Sequence, residues 1–114
     1  MHVTRELYDE IREVRNQIER LRIVRESGIS NKHVDFLIQH YKKQFTYLKG
    51  WIEAVLKYAD SETKLIIEYY YFHGLTEAEI AEFVCNGSRG AESIRNVIDT
   101  HLEWISAKKE KSYL

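Results

Sequence analysis

The residues best suited to chemistry are scattered along this chain. Histidines stand at 2, 33, 40, 73 and 101, and no two form the i,i+4 pair or the Cys/His cluster that holds zinc. No metal site is therefore expected. Glu77, Glu79 and Glu82 share an acidic helical face, but no base stands beside them for general acid–base work. Cys85 is the single cysteine, so no internal disulfide can form, which fits a reducing cytoplasm. With no His/Asn constellation around it, a small buried or half-buried side chain is its expected role. No glycine-rich phosphate loop follows a strand, because no strand pattern is legible. These residues point away from an enzyme and imply no cofactor.

The densest chemistry is aromatic. Tyr69, Tyr70, Tyr71 and Phe72 are consecutive and could stack bases, meet a partner, or fill a core. Helical spacing puts Tyr69 and Phe72 on one face with Leu65 and Ile66. That face is expected to bury against Ile80, Phe83, Ile94 and Ile98. Tyr71 falls near Ile67, at the seam with the N-terminal half or beside the following helix. Tyr70 is the ring left over, with an acidic surface around it. A single-strand platform couples its rings to a basic groove, and none is visible here. The run reads mainly as core.

The elements that position these residues are helical. Of 114 residues, 31% are charged and 44% apolar, with no proline and five glycines. That composition belongs to a soluble, folded chain with few helix breakers. No apolar run reaches the ~18 residues of a membrane span, and no signal peptide is recognised. Leu7, Ile11, Val14, Ile18 and Leu21 repeat in steps of four and three, one helical stripe. Gly28 suits a left-handed helix end, and Ser30 or Asn31 would cap a second helix. That helix carries Val34, Ile38, Tyr41, Phe45, Leu48, Ile52 and Val55 at the same spacing. Residues 1–59 are thus expected to form a long antiparallel hairpin with coiled-coil character. Heptads this regular also suit pairing between chains, so a homodimer is expected alongside the intramolecular alternative. Phe36, Leu37, Tyr47, Trp51 and Tyr58 fall off the stripe and call for a further partner.

From residue 60 the grammar changes. Asp60-Ser61-Glu62-Thr63 starts a new helix, which Gly74 ends. Thr76-Glu77-Ala78-Glu79 is a capping box that opens a short helix, CNGSRG (85–90) is a turn, and a last helix carries Ala91, Ile94, Ile98, Leu102 and Ile105. The tract KKEK after it reads as a frayed, soluble tail. The fold class expected is all-α, a helical hairpin followed by a three-helix helix-turn-helix domain over residues 60–114.

The run LIIEYYYFHGLTEAEIAEF, followed by SIRNVIDTHLEWI, resembles the region-4 domain of sigma factors. With its helical leader, the chain is most similar to small phage-encoded late-transcription regulators of the RinA and ArpU type. The resemblance covers about half the chain in motifs; for the leader it is architectural. It matches Tyr71 and Gly74 to the end of the first helix, and Thr76, Glu79, Ile80 and Ala81 to the scaffold helix. Ser93, Ile94 and Arg95 match the recognition helix. The turn CNGSRG is longer than the family's tight turn. The resemblance implies double-stranded DNA and RNA polymerase as partners, inside a bacterial host cell. Arg95 would then fork onto a guanine and Asn96 onto an adenine. Ser93 and Thr100 share the exposed face, and Arg89 and Lys64 are phosphate-contact candidates.

Charge pulls the other way. Residues 1–59 hold 11 Lys/Arg against 8 Asp/Glu, whereas residues 60–114 hold 6 against 10. DNA affinity is dominated by phosphate neutralisation, and the motif half is acidic. The cations sit on the hairpin: Arg12, Arg15, Arg20, Arg22 and Arg25, then Lys42, Lys43 and Lys49. They are either a phosphate- or acid-binding surface or a solvated face balanced by Glu10, Glu13, Glu19 and Glu26. A second function is therefore a non-DNA-binding inhibitor of a host protein, such as polymerase or a defence nuclease. Its partner-binding candidates are Tyr70, Glu77, Glu82 and Trp51.

Overall fold

Capped or glycine-terminated helix ends explain most of the chain path. The computed structural model describes residues 3–28 and 32–111, with side chains to Ala107. It is all-α, with α1 over Arg5–Glu26 and α2 over Lys32–Leu56. Gly28 follows α1 at φ +93, the left-handed turn that glycine makes without steric cost. The caps expected at Ser30 or Asn31 lie outside the described residues. α3 (Ser61–Ile67) begins where the Thr63 amide donates to Asp60 Oδ1 at 2.8 Å. α4 (Glu77–Glu79) is short and opens on the expected box: the Glu79 amide donates to Thr76 Oγ1 (3.2 Å) and the Thr76 amide to Glu79 Oε1 (3.0 Å). α5 (Ala91–Lys111) runs on in backbone through the KKEK tract, whose side chains lie outside the described residues.

The heptad stripes of α1 and α2 meet each other. Leu7, Ile11, Val14 and Ile18 are buried, as are Val34, Ile38, Leu48 and Ile52. Of the two pairings these stripes allow, the one within a single chain is formed. Apart from Val34 and Ile38, these side chains belong to one buried cluster with Ile66, Ile67, Tyr71, Ile80, Ile94, Ile98 and Leu102, and α1 also packs on the segment after α3, Glu68–Phe72, and on α5.

Both short helices end in wider, π-type turns, over Glu68–Phe72 and Ile80–Val84. The two ends use the same bonds. His73 donates its amide to Glu68 O (3.2 Å) and Leu75 to Tyr69 O (3.1 Å). Cys85 donates to Ile80 O and Gly87 to Ala81 O, each at 3.0 Å. A π turn inserts an extra residue into the helical register, and the insertion corrects two expectations. Tyr70, Tyr71 and Phe72 all turn inward, so Tyr70 is 5% exposed rather than a surface ring. Phe83, expected in the core, is 67% exposed, because the second wide turn swings it outward while Ile80 and Ala81 are buried. Leu65 is likewise exposed and Tyr69 half-buried.

Candidate functional site

The helix-turn-helix grammar positions its side chains through α4 and α5, which pack on each other, and α5 packs on α3 as well. Ile94, Ile98, Leu102 and Ile105 anchor α5 in the core. Its outward row is Glu92, Asn96, Thr100 and Glu103, all exposed, with Ser93 and Asp99 half-buried beside it. Asn96 and Thr100 are therefore open to a partner. The carboxylates of Glu92 and Glu103 flank them.

Arg95 is placed differently. Its Nη2 donates to the Tyr70 hydroxyl at 3.1 Å and to Glu77 Oε1 in a close ion pair, and Nη1 lies 3.6 Å from Asp99 Oδ1. Burial works against the charge, but the bonds to Tyr70 and Glu77 outweigh it and hold the pKa above the ordinary arginine value. Tyr70 receives a second guanidinium, Arg12 of α1, 5.0 Å from its ring centroid, with Arg95 at 5.5 Å. Two guanidiniums thus lie within cation–π range of one ring. Glu77 is half-buried in the same knot. Two of the partner-binding candidates are consequently spent on an internal network: Tyr70 as its buried centre and Glu77 as the carboxylate of Arg95.

Arg89 is also engaged. Its Nε donates to Glu62 Oε1 at 2.7 Å and its Nη1 to Ser93 Oγ at 2.7 Å, tying the turn before α5 to the start of α3. Lys64 and Glu82 are exposed, while Trp51 is half-buried and edge-on to Tyr47. Beside Arg89 and Glu82, small residues Ala78, Ala81, Gly87 and Ala91 line a shallow groove of about 630 Å³ between the scaffold helix and α5.

No family model, curated protein or solved structure matches this chain. Its functional reading therefore rests on the residues themselves.

A second concavity gathers basic side chains that stand far apart in sequence. Arg15 and Arg22 of α1, Lys42 of α2 and His73 line a cleft of about 400 Å³ floored by Phe45 and Phe72. Glu19, 3.3 Å from Arg22, is the carboxylate in it. Lys49 Nζ sits 5.5 Å from the Phe72 ring centroid. Arg15 Nε is buried with no hydrogen-bond partner among the described residues. A Cβ on Gly74 would collide with the Arg15 guanidinium, so glycine at this position gives the arginine room. Among the described residues no group of three or more potential metal ligands converges, and no helix is long and apolar enough to cross a membrane.

Sequence reasoning missed three members of these networks. Tyr8 and His101 are fully or nearly buried, with Tyr8 Oη and His101 Nε2 2.7 Å apart. Tyr8 shares a helical face with Ile11, a spacing of three that could have drawn it into the stripe. Glu62 gave no signal, because its partner Arg89 is remote in sequence.

Proposed function

We propose that this chain is a phage-type transcription regulator that engages DNA, RNA polymerase or both through its helix-turn-helix unit. The observation carrying this reading is the capped α4 packed against α5, with Asn96 and Thr100 turned outward on the helix that the motif uses for recognition. A helix presented this way reads base edges from its N-terminal turns. Asn96 is one turn in, at the point where a bidentate contact to adenine is made. Lys64 supplies an exposed cation nearby in the motif half.

A second reading is favoured by one specific observation: Arg89 and Arg95 are each paired to carboxylates within the chain. Releasing them to phosphate or guanine means breaking charge-assisted bonds. In this reading the unit contacts a host protein, polymerase or a defence nuclease, through an acidic face that includes Glu82, Glu92 and Glu103. Acidic surfaces of this kind compete with nucleic acid for a basic groove.

A salt series of gel shifts on phage promoter fragments separates the two. The DNA reading expects binding that weakens steeply with salt and is lost in the Arg95→Ala/Asn96→Ala double variant. Undetectable binding at low salt, together with capture of a single host protein, transfers the function to the inhibitor reading. Unchanged DNA affinity in the double variant would remove α5 from the recognition role.

A further inference from the structure

We propose that the outward face of α2 is a homodimer seam, on which a second copy of this chain lies antiparallel about a two-fold axis beside Tyr47. α2 is apolar on two opposite sides. One side, Val34, Ile38, Leu48 and Ile52, is buried against α1. Half a turn round the helix run Phe36, His40, Lys43, Tyr47, Trp51 and Ala54, with Tyr58 just past the helix end. Phe36 is 65% exposed, Tyr47 57% and Tyr58 74%. The rings form pairs along the surface, Phe36 stacked on His40 at 6.3 Å and Tyr47 edge-on to Trp51 at 6.4 Å. Two ring pairs on one exposed face of a helix mark an interaction surface rather than single scattered rings. Gly50 lies on the same side, and a Cβ there would meet nothing within 4 Å. Glycine weakens a helix interior, and no close neighbour inside the chain requires one at this position.

Pairing chemistry and area point to a second copy as the occupant. Positions four, seven and eleven residues either side of Tyr47 share this face, so an antiparallel copy brings Lys43 to Trp51, His40 to Ala54 and Phe36 to Tyr58. A closed two-fold contact needs this self-complementarity, each residue meeting its mirror position on the other copy. Antiparallel docking sets Tyr47 against Tyr47, Lys43 beside Trp51 in a cation–π contact, and the larger His40 against the small Ala54. Gly50 leaves room for the stem of Lys43 from the second copy. Parallel docking would instead oppose Lys43 to Lys43 and Ala54 to Ala54, a like-charge pair and a void. The area is adequate too. Aromatic side chains cover ~150–250 Å² each when fully buried, so four partly exposed rings on each copy supply on the order of 1,000 Å². Flanking helix surface brings the total toward the ~1,200–2,000 Å² of stable interfaces.

This seam is separate from the heptad stripes, which α1 and α2 use on each other, and it does not depend on what α5 binds. The test uses the full chain. Sedimentation should give twice the chain mass, and Tyr47→Asp should weaken dimerisation roughly 30-fold or more, as central aromatic anchors do, with unchanged helical circular dichroism. In a Cys85→Ser background, Tyr47→Cys should oxidise to a covalent dimer. Phe36→Cys should cross-link with Tyr58→Cys when the two are mixed, and not with itself. A wild-type monomer at every concentration overturns the proposal, including the case in which the stripe becomes protected only when a different protein is added. Self-cross-linking of Phe36→Cys would overturn it in favour of a parallel pair.

Discussion

At the residue scale, the buried pair Tyr8 and His101 makes the clearest demand on solution behaviour. Desolvation pushes His101 down to about 4, and burial also pushes the Tyr8 hydroxyl up, with the neighbouring Tyr71 adding to it. Tyr71 itself is pushed up to about 12 by burial first and then by Tyr70. Both members of the pair are therefore neutral in the folded state, joined by one hydrogen bond. The unfolded chain binds a proton at His101 near the ordinary histidine value of 6.5, whereas the folded chain resists it until about 4. Stability is therefore complete above pH ~6.5 and falls as pH drops toward 4, by on the order of 2–3 kcal/mol. Asp60 and Glu79 accept the backbone amides of Thr63 and Thr76, which lowers their pKa. Their stabilisation is lost only as pH falls through the ordinary carboxylate range and below. The upper part of the window, above pH ~5, belongs to His101. Denaturant midpoints followed from pH 7 to 5 should slope downward in the wild type and flatten in His101→Phe. An equal slope in both would dismiss the buried neutral histidine.

At the element scale, local signals were legible and register was not. The box at Thr76 and Glu79, the cap at Asp60 and the glycine ends at 28 and 74 are written within a few residues of where they act, and each forms as expected. The π turns are different. Nothing in EYYYF or IAEFV distinguishes an i→i+4 from an i→i+5 turn, and the choice falls to what the rings pack against: Tyr71 on Tyr8 at 5.1 Å, Tyr70 within reach of Arg12 and Arg95. Local reading therefore puts Tyr70 on the surface and Phe83 in the core and does not see Glu77 as the carboxylate that holds Arg95; Glu62, which holds Arg89, is hidden instead by its distance along the chain. The two glycines after these turns offer an internal control. Gly74 and Gly87 have nearly equal left-handed φ, +74 and +78, but only Gly74 faces a neighbour, the Arg15 guanidinium. Gly87→Ala should cost ~1–2 kcal/mol, the backbone penalty of a left-handed residue with a Cβ. Gly74→Ala should cost about as much, because the atoms it meets are the free end of the Arg15 side chain, which can swing away. A much larger cost in thermal or denaturant melts, shrinking in an Arg15→Ala background, would mean that the arginine is held in place and helps hold the turn.

At the scale of the molecule, hairpin and motif form one body whose core crosses the boundary at residue 60. The sign reversal of charge between the halves was visible in the sequence. The convergence of Arg15, Arg22 and Lys42 on one cleft, and of Arg12 on Tyr70, needed the packing of α1 against both α2 and the Glu68–Phe72 turn. Tyr8 and Ile11 of α1 belong to the same buried cluster as Ile67, Tyr71, Ile98 and Leu102 of the C-terminal half. Tyr8 makes edge-on ring contacts to Tyr71 at 5.1 Å and to His101 at 5.5 Å. Cutting the chain after Ala59 would expose those residues at once. It would also leave His101 without its hydroxyl partner and Tyr70 without one of its two guanidiniums. Domains this small bury too little surface to absorb such a loss. A fragment of residues 60–114 should therefore keep partial helicity yet melt without a cooperative transition and bind a hydrophobic dye. Supplying residues 1–59 in trans should restore the sharp melt, because α1 refills the same face. A fragment that unfolds cooperatively at the temperature of the full chain would instead make the hairpin an independent appendage, and the contacts of Tyr8 dispensable.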